Sequence, residues 1–272
     1  QLALVNVVSI MVMQEWGVSL LVGFALGMLA SLVASLLCWF FVSVLRLPSM
    51  LASFSLIYIV RGVNVLIMPN PQGRIAEVFY KTYDSHILGL IPFSALFLIL
   101  VLGIWTYLMR TKFGRSIYAV GGNPSNAFAA GINPVKVQFQ AFMIKGFITG
   151  LAGISLTLMT ASGNPLQAEA YGLRSLSACI IGGLGFGGWG SLASAVYGAG
   201  FLVLIQNAVY YFFDLLFRLI PGLTVTSYWQ NLVSDIIIFL GLLMTIVTAK
   251  EQREALKQGF VKQFKGGERD PK

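Results

Sequence analysis

From Gly17 through Leu45 the chain runs for 29 positions without a charge. About 20 mostly apolar residues are enough for a helix to cross the hydrocarbon of a bilayer. The rest of the chain repeats the pattern. Met50 to Met68 is broken only by Arg61, and Ile87 to Met109 is uncharged, with Pro92 near one end, where a helix tolerates it best. Phe139 to Ala161 contains only Lys145, Ser191 to Phe213 has no charge, and Tyr228 to Ala249 contains only Asp235. Two shorter pieces, Leu2 to Met13 and Ser175 to Phe186, complete the set.

Composition agrees with this pattern. Charged residues make up 10% of the chain and hydrophobic ones 57%, with a mean hydropathy of +0.81. A soluble domain carries roughly 25% charged residues, so a soluble surface could not be covered. The expected class is an all-α polytopic membrane protein with seven to eight spanning or partly spanning helices. Residues 1–250 would form the membrane domain and 251–272 a basic tail. Cys38 and Cys179 lie inside apolar runs without a Cys or His partner at metal spacing, so they read as packing residues and no metal site is expected. The single His86 sits in a loop without a catalytic constellation. The chain opens at Gln1 inside an apolar run with no charged leader, and reads as trimmed.

The net charge of +8 would suggest nucleic acid in a soluble protein; here it reports orientation. Loop 110–138 holds Arg110, Lys112, Arg115 and Lys136 with no acid, and the tail from Lys250 has seven basic residues against four acidic. Loops 69–86 and 162–174 are balanced in sign. Lysine and arginine bias sets topology, so 110–138 and the C-terminus read as cytoplasmic.

The stretch IIGGLGFGGWG, 180 to 190, carries Gly183, Gly185 and Gly188 at dinucleotide-fingerprint spacing. Such a fingerprint needs a strand before it, an amphipathic helix after it and an acid about 20 residues on. Here the following run is apolar all round, and the next acid, Asp214, comes 26 residues after Gly188. The arm Ser175 to Phe186 would be about 18 Å long as a helix, too short for a core of about 30 Å. Gly182, Gly183, Gly185, Gly187 and Gly188 therefore read as an intramembrane turn and a close-packing surface, since small residues let backbones approach in lipid.

Residues 110–138, RTKFGRSIYAVGGNPSNAFAAGINPVKVQ, have a different grammar. Asn123-Pro124 initiates a turn, Ser125 is placed to cap a short helix over 126–130, Gly131 to end it, and Asn133-Pro134 to open the next. Either this is only a structured loop, or it is a docking helix held outside the membrane for a cytoplasmic partner.

GRSIYAVGGNPSNAFAAGI resembles the cytoplasmic signature of the ribose/branched-chain amino acid superfamily of ABC-transporter permeases. The glycine stretch followed by SLASAVYGAG, and LRLPSMLASFSLIYIVRGV earlier, resemble further patterns of that family, closest to its simple-sugar branch. The resemblance implies that Gly122, Asn123, Ala127, Ala129, Gly131 and Ile132 lie on a coupling helix that contacts an ATPase subunit. Phe128 stands where the family usually has a second small residue. It further implies a second permease subunit, identical or sister, an extracytoplasmic solute-binding protein and a bacterial inner-membrane location. ATP and Mg would be bound by the ATPase and no cofactor by this chain, which is not itself an enzyme.

Ionisable residues at membrane depth default to functional hypotheses. Arg61, Asn64, Gln206, Asn207 and Asp235 are the candidates for a polar pathway, with interhelical hydrogen bonding as the alternative for the amides. An Arg61–Asp235 pair competes with a local bond from Arg61 to backbone carbonyls. Lys145, about two turns from the cytoplasmic end, reads as snorkelling. No series of acids forms a proton relay. The expected function is inward transport of a small polar solute, a sugar first, driven by ATP on a partner. The alternatives are a branched-chain amino acid, nucleoside or signalling-molecule permease, or an ATP-independent channel.

Overall fold

The computed structural model describes residues 1–87, 91–184 and 190–219, together with Leu232, Asp235, Ile236, Phe239 and Leu240. It divides into two compact units, Gln1–Glu169 and Ala170–Lys272. Gly185, Gly187, Gly188 and the tail 251–272 lie outside the described residues, as does most of the run from Tyr228 to Ala249.

In the first unit α1 spans Leu2–Trp16 and ends at Gly17 in the left-handed conformation, so it continues through Gln14 and Glu15 beyond the expected stop at Met13. Helix α2 (Leu20–Trp39) passes directly into a π-helical turn, Phe40–Val44, giving a continuous apolar span of 25 residues. Helix α3 covers Ser49–Ile67. A short strand β1 (Gln72–Arg74) and helix α4 (Glu77–Asp84) follow, then a two-residue pair, β2 (His86–Ile87) with β3 (Ile91–Pro92). Helix α5 therefore begins at Phe93 and runs to Arg110, not from Ile87 as the apolar run suggested. Proline drives the residue before it into an extended conformation, and Pro92 closes the hairpin. Helix α6 (Lys112–Gly122) turns 79° from α5. Helix α7 (Pro124–Ala129), α8 (Pro134–Thr160) and β4 (Ser162–Gly163) complete the unit. The two strand pairs qualify the all-α expectation, although each is only two or three residues long.

Helices α1, α2 and α8 pack through small residues. A Cβ added at Gly27 would strike Ser9 Oγ and lie 3.0 Å from the Val5 carbonyl, and one at Gly146 would lie 2.6 Å from Ser35 Oγ. Val5, fully buried, is wedged between Gly27 of α2 and Gly153 of α8. With no apolar advantage over lipid, helices in a membrane associate by this close fit and by hydrogen bonds across the interface. Ser31 donates to the Gly146 carbonyl at 2.8 Å. Asn6, 1% exposed, donates to Thr157 Oγ1 (3.2 Å) and the Ser162 carbonyl (3.1 Å), and accepts from the Asn164 amide (2.9 Å). This node ties α1 to the far end of α8. There β1 pairs antiparallel with β4, Ile75 donates to the Ala161 carbonyl (3.0 Å), and Gly73 sits against Ile10 and Gln14.

The first unit thus has two ends of unlike charge. One gathers the α1 terminus, β1, α4 and β4, and carries Glu15, Glu77, Asp84 and Glu169 with Arg74 and Lys81. The other gathers the π-helical turn and residues 110–138, joined by Ser43 Oγ donating to Gln138 Oε1 at 2.7 Å. It carries Arg46, Arg110, Lys112, Arg115 and Lys136, and no acid among the described residues.

The second unit contains α9 (Glu169–Ile181) and α10 (Leu192–Leu219). Helix α9 starts earlier than Ser175, yet its 13 residues span only about 20 Å at 1.5 Å per residue. Among the described residues three helical stretches are long and apolar enough to cross a membrane: Leu20–Val44, Pro134–Thr160 and Leu192–Phe212. The bent pair of α5 and α6 makes a fourth if counted as one span, and α1 and α3 are shorter apolar helices.

Candidate functional site

The segment 122–132 is built by local rules. Asn123 ends α6, its amide donating to the Ala119 carbonyl at 3.2 Å, and at once caps α7: its side chain accepts from the Ser125 (3.0 Å) and Asn126 (3.1 Å) amides. The cap is therefore Asn123 and not Ser125. Pro124 takes the first helical position, where its missing N–H costs nothing, so the helix is Pro124–Ala129 in place of 126–130. Its other end is a Schellman motif. Gly131, at φ 81°, donates to the Phe128 carbonyl (2.9 Å), and Ile132 donates to the Ala127 carbonyl (3.0 Å). Asn133 then caps α8, accepting from the Val135 (3.1 Å) and Lys136 (3.3 Å) amides.

This double-capped helix is seated on its own chain. Ala127, 4% exposed, packs with Val120 of α6 and Val137 of α8, and Ile117 and Ile132 close the cluster. Phe128 is 68% exposed, and Asn123, Ala129 and Gly131 are exposed as well. The candidate residues thus divide. Ala127 and Ile132 are turned inward and hold α7 in place, while Phe128 and Ala129 face away from the unit. Gly122 belongs to the last turn of α6, not to α7.

The pathway candidates fall in both units, Arg61 and Asn64 in the first and Gln206, Asn207 and Asp235 in the second. Asn64 is 2% exposed, and its Oδ1 has no hydrogen-bond partner among the described residues, whereas Arg61 one turn earlier is exposed. Gln206 is half-buried on α10 and Asn207 exposed; Asp235 is exposed too. Arg61 belongs to the first unit and Asp235 to the second. Lys145 lies three turns into α8, because α8 begins at Pro134. Its Nζ sits 5.3 Å from the centre of the Phe142 ring, one turn back toward the start of that helix, and 4.0 Å from Cys38 Sγ.

In the second unit α9 ends by the same device as α7. Gly183, at φ 89°, donates to the Ile180 carbonyl and Leu184 to the Cys179 carbonyl, each at 2.9 Å. A Cβ at Gly182 would collide with the Ser194 carbonyl, and one at Gly198 with the Ala178 carbonyl. Backbone meets backbone here, which only residues without a side chain permit.

Sequence reasoning passed over Asn6, the best-bonded buried amide. Its signal is a lone amide inside an apolar run, whereas Asn64 stands out by lying one turn past Arg61.

The chain is similar along most of its length to known transport proteins. It is 29% identical to the "Probable ABC transporter permease protein YphD" of Escherichia coli over 78% of this chain and 61% of that one. It is 33% identical to the xylose transport system permease protein XylH of the same species over 56% of this chain and 36% of the other. Against the L-arabinose ABC transporter permease protein AraH of Azospirillum brasilense it is 27% identical over 88% of this chain and 68% of the other. It thus spans under two thirds of the length of YphD and about a third of XylH. No solved structure matches it. The family model described as the permease component of the branched-chain amino acid transport system matches residues 1–246, and the chain therefore belongs to this family of multi-pass ABC-transporter permeases.

Proposed function

We propose that the chain is the membrane-spanning subunit of a binding-protein-dependent importer that moves a small polar solute of the sugar class inward, with ATP bound and hydrolysed by a partner. The observation that carries this reading is α7, capped at both ends, seated on Val120 and Val137, and presenting Phe128 at the end of the first unit that has, among the described residues, five cations and no acid. By the positive-inside rule that end is cytoplasmic. The relatives named for xylose and arabinose transport support a sugar as solute.

In this reading the chain supplies no chemistry. Closure of the ATPase carries α7 with it, and because α7 is fixed to α6 and α8, its displacement tilts the inward- and outward-facing equilibrium. A ligand shifts such an equilibrium only by its differential affinity for the two states, so the rigid seat of α7 sets how much of that difference reaches the spans. Gly122, Asn123, Ala127, Phe128, Ala129, Gly131 and Ile132 form the coupling element. Arg61, Asn64, Gln206, Asn207 and Asp235 remain candidates for the pathway, which would be completed by a second permease subunit, identical or sister. A relative named as an autoinducer 2 import system permease, LsrC of Photorhabdus laumondii, is 28% identical. It favours a signalling molecule as the second reading.

The test is Phe128→Asp in cells carrying the complete transporter. Expected are normal membrane levels of the chain, loss of ATPase co-purification and loss of ATP-dependent uptake of labelled pentose. Uptake that persists without ATP would establish the channel reading instead.

A further inference from the structure

Between the end of α2 and the first turns of α8, within the first unit, lies an open groove of about 350 Å³ lined by Trp39, Val135, Lys136, Phe139 and Gln140. We propose that it holds an anionic phospholipid of the leaflet on the α7 side, with Lys136 meeting the phosphate and Trp39 and Phe139 lying along an acyl chain. The orientation rests on the permease reading above; the groove does not.

Three observations converge on this occupant. Trp39 and Phe139 stand edge to face, 5.2 Å between centroids and 79° between planes, and form an apolar floor. They lie where two spans emerge, Trp39 near the end of Leu20–Val44 and Phe139 in the second turn of Pro134–Thr160, and membrane proteins concentrate tryptophan, with its amphipathic ring, at that depth. The rim is cationic and has no acid to compete for it. Lys136 is exposed, and Arg46, Arg110, Lys112 and Arg115 share that end of the unit, which has no Asp or Glu among the described residues. Basic pockets between spans at the cytoplasmic surface are suited to anionic headgroups. A free phosphate would satisfy Lys136 but leave Trp39, Val135 and Phe139 uncovered, so the apolar floor selects a lipid.

The test is native mass spectrometry of the full chain, with whatever ATPase co-purifies, after extraction and addition of phosphatidylglycerol or phosphatidylcholine of matched chains. Expected are retention of phosphatidylglycerol over phosphatidylcholine and a loss of that preference by about fivefold in Lys136→Gln, the factor for one interfacial cation. Lys136→Arg should restore it. Lys81→Gln, on the opposite end and paired with Glu77 at 3.1 Å, should leave it unchanged and controls for general charge loss. Equal retention of the two lipids would overturn the proposal. So would a Lys136→Gln variant that sheds ATPase with its phosphatidylglycerol count unchanged, which would assign the groove to protein. Absence of ATPase from the wild-type preparation would count against the permease reading, while the lipid count on the chain alone would still decide this one.

Discussion

Replacing Gly153 by alanine sets two physical effects against each other. Alanine favours a helix over glycine by about 1 kcal/mol. A Cβ at Gly153, however, would lie 2.6 Å from Val5 Cβ and 3.0 Å from both Val5 methyls, where ordinary contact begins at 3.4 Å. At least 0.8 Å must be absorbed, and Val5 has nowhere to go. It is fully buried, and a Cβ on the opposite side, at Gly27, would already lie 3.0 Å from its carbonyl and 3.1 Å from one methyl. Overpacking of this kind costs about 1–3 kcal/mol. Gly103 of α5 is the control, because a Cβ there meets nothing within 4 Å. The propensity gain is common to both variants, so their difference isolates the packing cost. Gly103→Ala should gain up to about 1 kcal/mol. Gly153→Ala should fall below it by about 1–3 kcal/mol, or roughly 2–12 °C in melting temperature for a chain of this length. The assay is thermal unfolding of the detergent-solubilised chain, followed by size-exclusion of the surviving fraction. A double variant, Gly153→Ala with Val5→Gly, removes the struck Cβ as well as both methyls and should recover most of the packing cost, giving a favourable coupling of about 1–3 kcal/mol. Equal shifts for Gly153→Ala and Gly103→Ala, or strict additivity with Val5→Gly, would refute the wedge.

Three further outcomes are expected. Asn123→Ala removes the side-chain cap of α7 while keeping the backbone bond that ends α6, and should cost about 0.5–2 kcal/mol; Gly131→Ala, forced to φ 81°, should cost about 1 kcal/mol. Both should lower ATP-dependent transport at unchanged membrane levels, which uptake normalised to an immunoblot would read. Asn6→Leu leaves the Asn164 amide without its partner and the Ser162 carbonyl with Thr160 Oγ1 alone as side-chain donor, and should destabilise by about 1–3 kcal/mol. Asn6→Asp can still accept from Asn164 but buries a carboxylate against the Ser162 carbonyl, and should lose at least as much at neutral pH in the same melting assay. Trp39→Phe keeps a ring against Phe139 and removes an indole Nε1 that is buried without a partner among the described residues. It should therefore lie within about 1 kcal/mol of wild type, whereas Trp39→Ala, at a half-buried site, should lose about 1.5–3 kcal/mol.

The turn chemistry of residues 122–134 was legible because glycine, proline and asparagine act locally: Gly131 was marked as a terminator by its place after an apolar run, and Asn133-Pro134 as an opener. The cap fell on Asn123 and not on Ser125 because Pro124 preorganises the first helical position, a competition between neighbours that residue-type preference leaves open. The late start of α5 has a similar origin, since an apolar run does not show where a hairpin at Pro92 interrupts it.

Which face of each helix is buried could not be read in this way. In water a helix announces its core by alternating apolar and polar faces. In lipid both faces are apolar, and the inward one differs only by small residues and occasional hydroxyls or amides. The sequence by itself therefore determined the membrane class, the approximate apolar spans, the gathering of cations at 110–138 and the punctuation around α7. Only tertiary structure decided that Val5 is wedged between Gly27 and Gly153, that Asn6 ties α1 to α8, that Ala127 turns inward while Phe128 turns out, and that Arg46 joins the cations of 110–138 at an end without the acids described in the first unit. Those outcomes depend on how close two backbones come, and without a contrast between polar and apolar faces no periodicity in the chain encodes that distance.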